Sequence, residues 1–286
     1  MTDEWCNSRT YRNTLIIVAS FFATQAIGQQ EHHASARGAA LVNDSWTTLP
    51  TASMQAARSP GQPIRVTMAG GTFLTLTLQT PEFPAPRTLT STTPGTWQIA
   101  RSDAGSGGHL WVVATDAGEK RTVRASSHLF LPMKYQVPTK MLNHSPQGLQ
   151  LIPLRLPEHG GIREGSTWRF AAHFDGTPLA GASIIFETAG NSRQTLTTDA
   201  YGIFLVTFPH DFLDANINAE NLMGSRQNFV LAVRHQHDDH NYLTAYNHHY
   251  LPDRMRERSL IGGIGALFVG MALATPLLRR KEKKNA

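Results

Sequence analysis

The chain has 286 residues, 41% of them hydrophobic, with 26 Lys plus Arg against 21 Asp plus Glu. Its sequence pI of about 9.6 would suit a nucleic-acid binder, but seven of the basic and three of the acidic residues lie in the two terminal segments, leaving 19 against 18 between them; that balance excludes a polyanion-binding footprint. The single cysteine, Cys6, excludes a disulfide framework and a thiolate metal site in the body of the chain.

Residues 1–28 have the order of a secretory signal peptide. Arg9 and Arg12 precede the apolar run "TLIIVASFFA", and "TQAIGQQ" supplies small residues for a cut after Ala26 or Gly28. Asp3 and Glu4 depart from that pattern and leave an uncleaved N-terminal anchor as the alternative. Both readings export the chain beyond this segment. Residues 29–58 carry few apolar pairs at either period, and "EHHASARGAA" reads as mobile.

From residue 60 to residue 250, short alternating apolar runs are separated by Gly, Pro, Asp and Thr clusters. This predicts a mainly β protein with two β-sandwich domains. In the first, residues 59–140, strands are expected at "PIRVTMA", "TFLTLTLQ", "GTWQIAR", "HLWVVATD" and "KRTVRASSHLFL". The proline-rich "QTPEFPAPRTLTSTTPGT" reads as loop, "GSGGH" (105–109) as a hairpin turn, and "PMKYQVPTKMLNHSPQG" as a connector.

The second domain, residues 141–252, is patterned more sharply. "STWRFAAHF" puts Trp168, Phe170, Ala172 and Phe174 on one face, and "SIIFETA" returns with Ile184 and Phe186 together. "QTLTTDAYG" and the strand "IFLVTF" come next. Asp175, Gly176, Asp199 and Gly202 read as turn residues, each Asp capping its own turn and each Gly supplying a positive φ. The segment "FLDANINAENLMG" reads as a helical turn or a loop.

The stretch from Leu149 to Phe208, with its "LIP" strand, "DGTPLAGA" turn and "TDAYG" corner, resembles the second half of a bacterial family of periplasmic proteins of unknown function labelled nickel-uptake substrate-specific transmembrane region. The resemblance implies an exported immunoglobulin-like or transthyretin-like β-sandwich associated with uptake of transition metals such as nickel or cobalt. It implies no catalytic residues. Members of that family open with a His-rich aromatic stretch, whereas "QQEHHA" here has no aromatic residue before Trp46.

Five of the thirteen histidines fall within "RHQHDDHNYLTAYNHHY", residues 234–250. "NFVLAVRH" reads as a strand with Phe229, Leu231 and Val233 inward, and a turn at Asp238 and Asp239 returns the chain antiparallel. In that register His237 and His240 oppose each other with Cβ atoms about 5 Å apart, near enough to share a divalent metal such as nickel, cobalt, copper or zinc. Asp238, Asp239 or His235 would complete the set. His248 and His249 lie roughly 26–30 Å farther along at strand rise, and form a second candidate pair. A solvated hairpin is the alternative. His109, His128, His144, His159, His173 and His210 are spaced singly and read as hydrogen-bonding surface or core residues.

"SLIGGIGALFVGMALATPLL", residues 259–278, is free of charge and long enough for a transmembrane helix of about 30 Å. The tail, residues 279–286, holds Arg279, Arg280, Lys281, Lys283 and Lys284, which predicts a cytoplasmic C-terminus and an extracytoplasmic (periplasmic) body on the inner membrane. Gly262, Ala266, Gly270 and Ala274 form a small-residue stripe suited to a homodimer through the span. With no nucleophile elbow, His-Glu-x-x-His or phosphate loop in the sequence, the expected function is not enzymatic. It is the binding or presentation of metal ions to a transporter or outer-membrane receptor, and the alternative is a structural or interaction module of the cell envelope.

Overall fold

The computed structural model describes residues 46–56, 61–105, 108–131, 138, 141, 147–158, 160–212, 225–253 and 271. The expected signal, most of the connector, the segment 213–224, the span apart from Met271, and the basic tail lie outside them. Among the described residues no helix is long and apolar enough to cross a membrane. The protein is mainly β, as its alternation predicts.

Numbered in chain order, the strands form three sheets. The smallest contains β1 (Thr51–Ala56), β2 (Ile64–Ala69) and β5 (Thr96–Ile99), in the order β1-β2-β5. A four-stranded sheet is built on β10 (Thr167–Phe174), which pairs with β8 (Leu149–Pro153), β11 (Thr177–Pro178) and β14 (Ile203–Thr207). The largest runs from β13 (Arg193–Thr197) through β12 (Ser183–Thr188), β15 (Gln227–His237), β16 (His240–Leu251), β7 (Arg121–Leu131), β6 (Gly108–Ala117) and β3 (Thr75–Gln79) to β4 (Arg87–Thr90), with β9 (Ile162–Arg163) on the far end of β16.

This large sheet crosses the boundary expected between residues 140 and 141. β7 and β16 pair in parallel, from Arg121 opposite Asn241 to Ser127 opposite Asn247, so both halves of the chain share one middle layer. Two of its central strands, β6 and β15, are apolar on both faces. In β6, Leu110, Val112 and Ala114 join the core beneath the small sheet, whereas Trp111 joins the core beneath the four-stranded sheet. In β15, Phe229, Leu231 and Val233 enter the second core, and Val230 and Ala232 face Leu49 on the other side. Trp111 stacks on Tyr246 with ring centroids 5.5 Å apart and an interplanar angle of 14°, fastening one half to the other. Burying a side chain of this size contributes on the order of 2–3 kcal/mol.

Three local readings change. Thr51–Ala56, within the segment expected to be mobile, forms β1 with Ala52 buried, because Met54 and Ala52 pack on the first core. Arg87–Thr90, inside the expected loop, forms an edge strand on β3; its Thr pair favours extended backbone once the prolines are past. β5 and β6, which flank the hairpin turn expected at residues 105–109, do not pair with each other and lie in different sheets.

The turn and corner of the second half owe their joint signal to direct contact. The Thr198 hydroxyl donates to the Leu179 carbonyl at 2.6 Å and accepts from the Ala182 amide at 2.7 Å. Asp199 Oδ1 accepts from the amides of Tyr201 and Ile203, each at 2.8 Å. Gly202 has φ +71°, and a Cβ there would lie 2.6 Å from the Ala172 carbonyl oxygen. Only glycine allows that approach.

Candidate functional site

The β15–β16 hairpin forms in the register read from the sequence, with His237 opposite His240 and His235 opposite Tyr242. Asp238 turns the chain with φ +52°, a left-handed conformation that Asp tolerates better than most residues, which lets an Asp-Asp pair do without glycine. Because side chains alternate, His235, His237 and His240 lie on the face that carries Phe229 and Leu231 toward the second core. Phe174 from β10 wedges among His235, His237 and Tyr242 at centroid distances of 4.6, 5.0 and 5.0 Å.

Each imidazole at this tip has a distinct setting. His237 is largely exposed, its Nε2 3.7 Å from Asp238 Oδ2. His240 Nε2 is 2.9 Å from the Thr122 hydroxyl of β7, leaving Nδ1 as its free coordinating atom. Burial, and then the neighbouring His237, lower the pKa of His235, favouring the neutral form that a metal requires. Asp239 closes the turn with Asp238. Among the described residues no group of three or more His, Cys, Asp or Glu side chains is close enough to enclose a metal ion. The backbone register opposes His237 and His240, while the His237 ring packs on Phe174 and the His240 ring reaches Thr122 of β7.

His248 and His249 sit elsewhere, opposite Phe229 and Asn228 toward the far end of the hairpin. They belong to an imidazole ladder that sequence spacing did not reveal. His109 Nδ1 and His128 Nε2 are 2.9 Å apart, with both residues almost fully buried. The His128 ring lies 5.8 Å from that of His248, which lies 4.5 Å from that of His249. Antiparallel β6–β7 pairing and parallel β7–β16 pairing bring the single histidines His109 and His128 beside His248 on one face. Burial, then the charges that neighbouring imidazoles would carry, holds His128 and His248 well below the ordinary histidine range. Burial and Arg226 push His249 down to about 4, and burial lowers His109 against the opposing pull of Glu158. These rings are neutral at neutral pH, with N–H to N bonding in place of charge. Sequence order gave no sign of the ladder, because its members meet only through sheet pairing.

A further polar node is structural. Asp211 accepts from the hydroxyls of Thr188, Ser192 and Tyr250 at 2.5, 2.7 and 2.5 Å. It ties β12 and β16 to the chain leaving β14, where a carboxylate needs such donors to remain buried.

No family model matches the chain, and no curated protein matches it. Solved structures similar to it include a bacterial 1.5-MDa ice-binding adhesin studied for host cell surface retention, at 12% identity over 71% of this chain and a TM-score of 0.25; this chain spans 64% of the adhesin chain. Fibronectin(III)-like modules of Clostridium thermocellum CbhA align at 10% identity, covering 72% of this chain and 97% of theirs, with a TM-score of 0.24. A two-domain fibronectin type-III segment of chicken tenascin aligns at 7% identity, covering 71% and 98%, with a TM-score of 0.22.

Proposed function

We propose that this is a single-pass inner-membrane protein whose extracytoplasmic body, an immunoglobulin-like or transthyretin-like pair of sandwiches, presents a histidine-bearing tip away from the bilayer and works by binding rather than catalysis. The observation that carries this reading is the course of β16. It begins at His240 beside the Asp-Asp turn and ends at Leu251, shortly before the apolar segment 259–278. Twelve strand residues span roughly 36 Å. Flanked by β15 and β7, β16 acts as a stiff stalk from anchor to tip.

At that tip the register opposition of His237 and His240 supports binding of a divalent transition metal such as nickel, cobalt, copper or zinc. Two imidazoles leave coordination positions for a partner's ligands, which suits passing an ion to a transporter or receptor better than storing it. Calorimetry with nickel, copper and zinc on the exported body tests this. Binding is expected to weaken as pH drops through about 6.5, where imidazole protonates, and to be lost in the His237→Ala, His240→Ala double variant. A double variant with the parent's affinity and stoichiometry would remove the metal role, leaving a structural or interaction module of the envelope.

A further inference from the structure

Where the two halves meet, a second feature stands apart from the tip. A cleft of about 250 Å³ lies between the outer face of β3, β6 and β7 and the strand β8. Its walls are largely apolar and include Trp111, Val113, Leu149, Leu151 and Ile152. Junctions between packed units are where small-molecule sites concentrate. The volume exceeds the roughly 150 Å³ that encloses a benzene and falls short of the roughly 300 Å³ at which drug-sized pockets begin. It fits a compact molecule of one or two rings, or a short acyl chain.

The polar groups of the cleft are mostly engaged. Thr77 donates to the Val113 carbonyl at 2.9 Å, Thr244 to the Leu149 carbonyl at 2.9 Å, Ser126 to the Ala245 carbonyl at 3.1 Å, and Gln79 to the Pro84 carbonyl at 2.9 Å. Arg124 is the exception. Its Nη1 donates to the carbonyls of Gln147 and Leu149 at 2.5 and 3.3 Å, fixing the guanidinium against Gly148. Nε is buried without a hydrogen-bond partner among the described residues, and no carboxylate there comes within ion-pairing distance of the group. Nε is closed to a ligand, and Asp175 acts on the guanidinium by charge from beyond ion-pairing distance; a carboxylate in the cleft meets the group through its other N–H donors.

We propose that this cleft binds a small organic monocarboxylate, its apolar body lying on Trp111 and Val113 and its carboxylate on the guanidinium of Arg124, which lines the cleft. The ligand's carboxylate meets a guanidinium that has no ion-pair partner within about 4 Å among the described residues, and the walls exclude the water that would otherwise weaken the pair. This site is independent of the histidine tip and of any metal.

The test uses the full chain in zwitterionic lipid nanodiscs. Binding of 2-naphthoate is compared with that of the uncharged 2-naphthalenemethanol, after subtraction of empty nanodiscs. The expected result is one naphthoate site, weakened at least tenfold by Arg124→Met, with naphthalenemethanol binding unchanged by that substitution. Val113→Phe, which fills the cleft, is expected to weaken both probes. Absence of naphthoate binding to the parent, or equal naphthoate affinity in parent and Arg124→Met, would overturn the proposal. If circular dichroism shows that Arg124→Met does not fold, Val113→Phe decides: unchanged naphthoate affinity in that variant would overturn the site.

Discussion

Acidification should loosen this protein through its imidazole ladder. Above pH 6.5 the rings of His128, His248 and His249 are neutral in both folded and unfolded chains, and their contribution to stability is fully present. Below that value the unfolded chain takes up protons at about pH 6.5, whereas burial, abetted by neighbouring imidazoles and Arg226, makes the folded chain refuse them. For His249 the window runs from the ordinary histidine value down to about 4. Each ring then lowers stability by about 1.4 kcal/mol per pH unit, or about 2 kcal/mol in all between pH 7 and pH 5. His128 and His248 shift in the same direction, so the loss exceeds that of one ring, with about 6 kcal/mol for three independent rings as the upper bound. Urea denaturation of a fragment spanning residues 46–253 at pH 7, 6 and 5 measures this directly. His248→Phe removes one titrating ring at similar volume and should reduce the loss by up to about 2 kcal/mol. A loss below about 1 kcal/mol in the parent, or an unchanged loss in the variant, would refute a neutral buried ladder.

Other expectations are more local. Gly202→Ala forces a Cβ to 2.6 Å from the Ala172 carbonyl oxygen at φ +71°, and should destabilise by about 2–3 kcal/mol, read as a lowered thermal midpoint. Phe186, fully buried and in edge-to-face contact with Phe208, should cost about 3–5 kcal/mol on replacement by Ala. Protease added outside intact spheroplasts should digest the β body and spare a tag on Ala286; loss of the tag while cytoplasmic markers survive would reverse the proposed topology.

The second half of the chain was legible because its signals are local. Alternation in "STWRFAAHF" puts Trp168, Phe170 and Ala172 on one face and they do line a core, joined there by Phe204 and Val206 of the expected strand "IFLVTF". The hairpin register comes from the chain turning at Asp238 and Asp239. The parallel pairing of β7 with β16 has no turn to announce it, since parallel neighbours are joined through distant chain. Alternation could not separate Leu110 from Trp111 as members of two different cores, because a strand covered on both faces reads as a continuous apolar run. The imidazole ladder and the Arg124 cleft both arise from that pairing, so they were hidden for the same reason. β1 was missed because "TASMQA" has only Ala and Met to bury, and it becomes a strand by covering a sheet that the rest of the chain supplies.

Hydrogen exchange of the backbone amides in β7 and β16 tests the shared middle sheet, on which the stalk, the ladder and the cleft all depend. If Ser126, Ser127, Tyr246 and Asn247 belong to one continuous sheet, their amides should open with the same free energy and respond together to denaturant, as one cooperative unit. Two distinct opening energies, with β7 following the first core and β16 the second, would mean that the halves fold as separate sandwiches and would contradict the account.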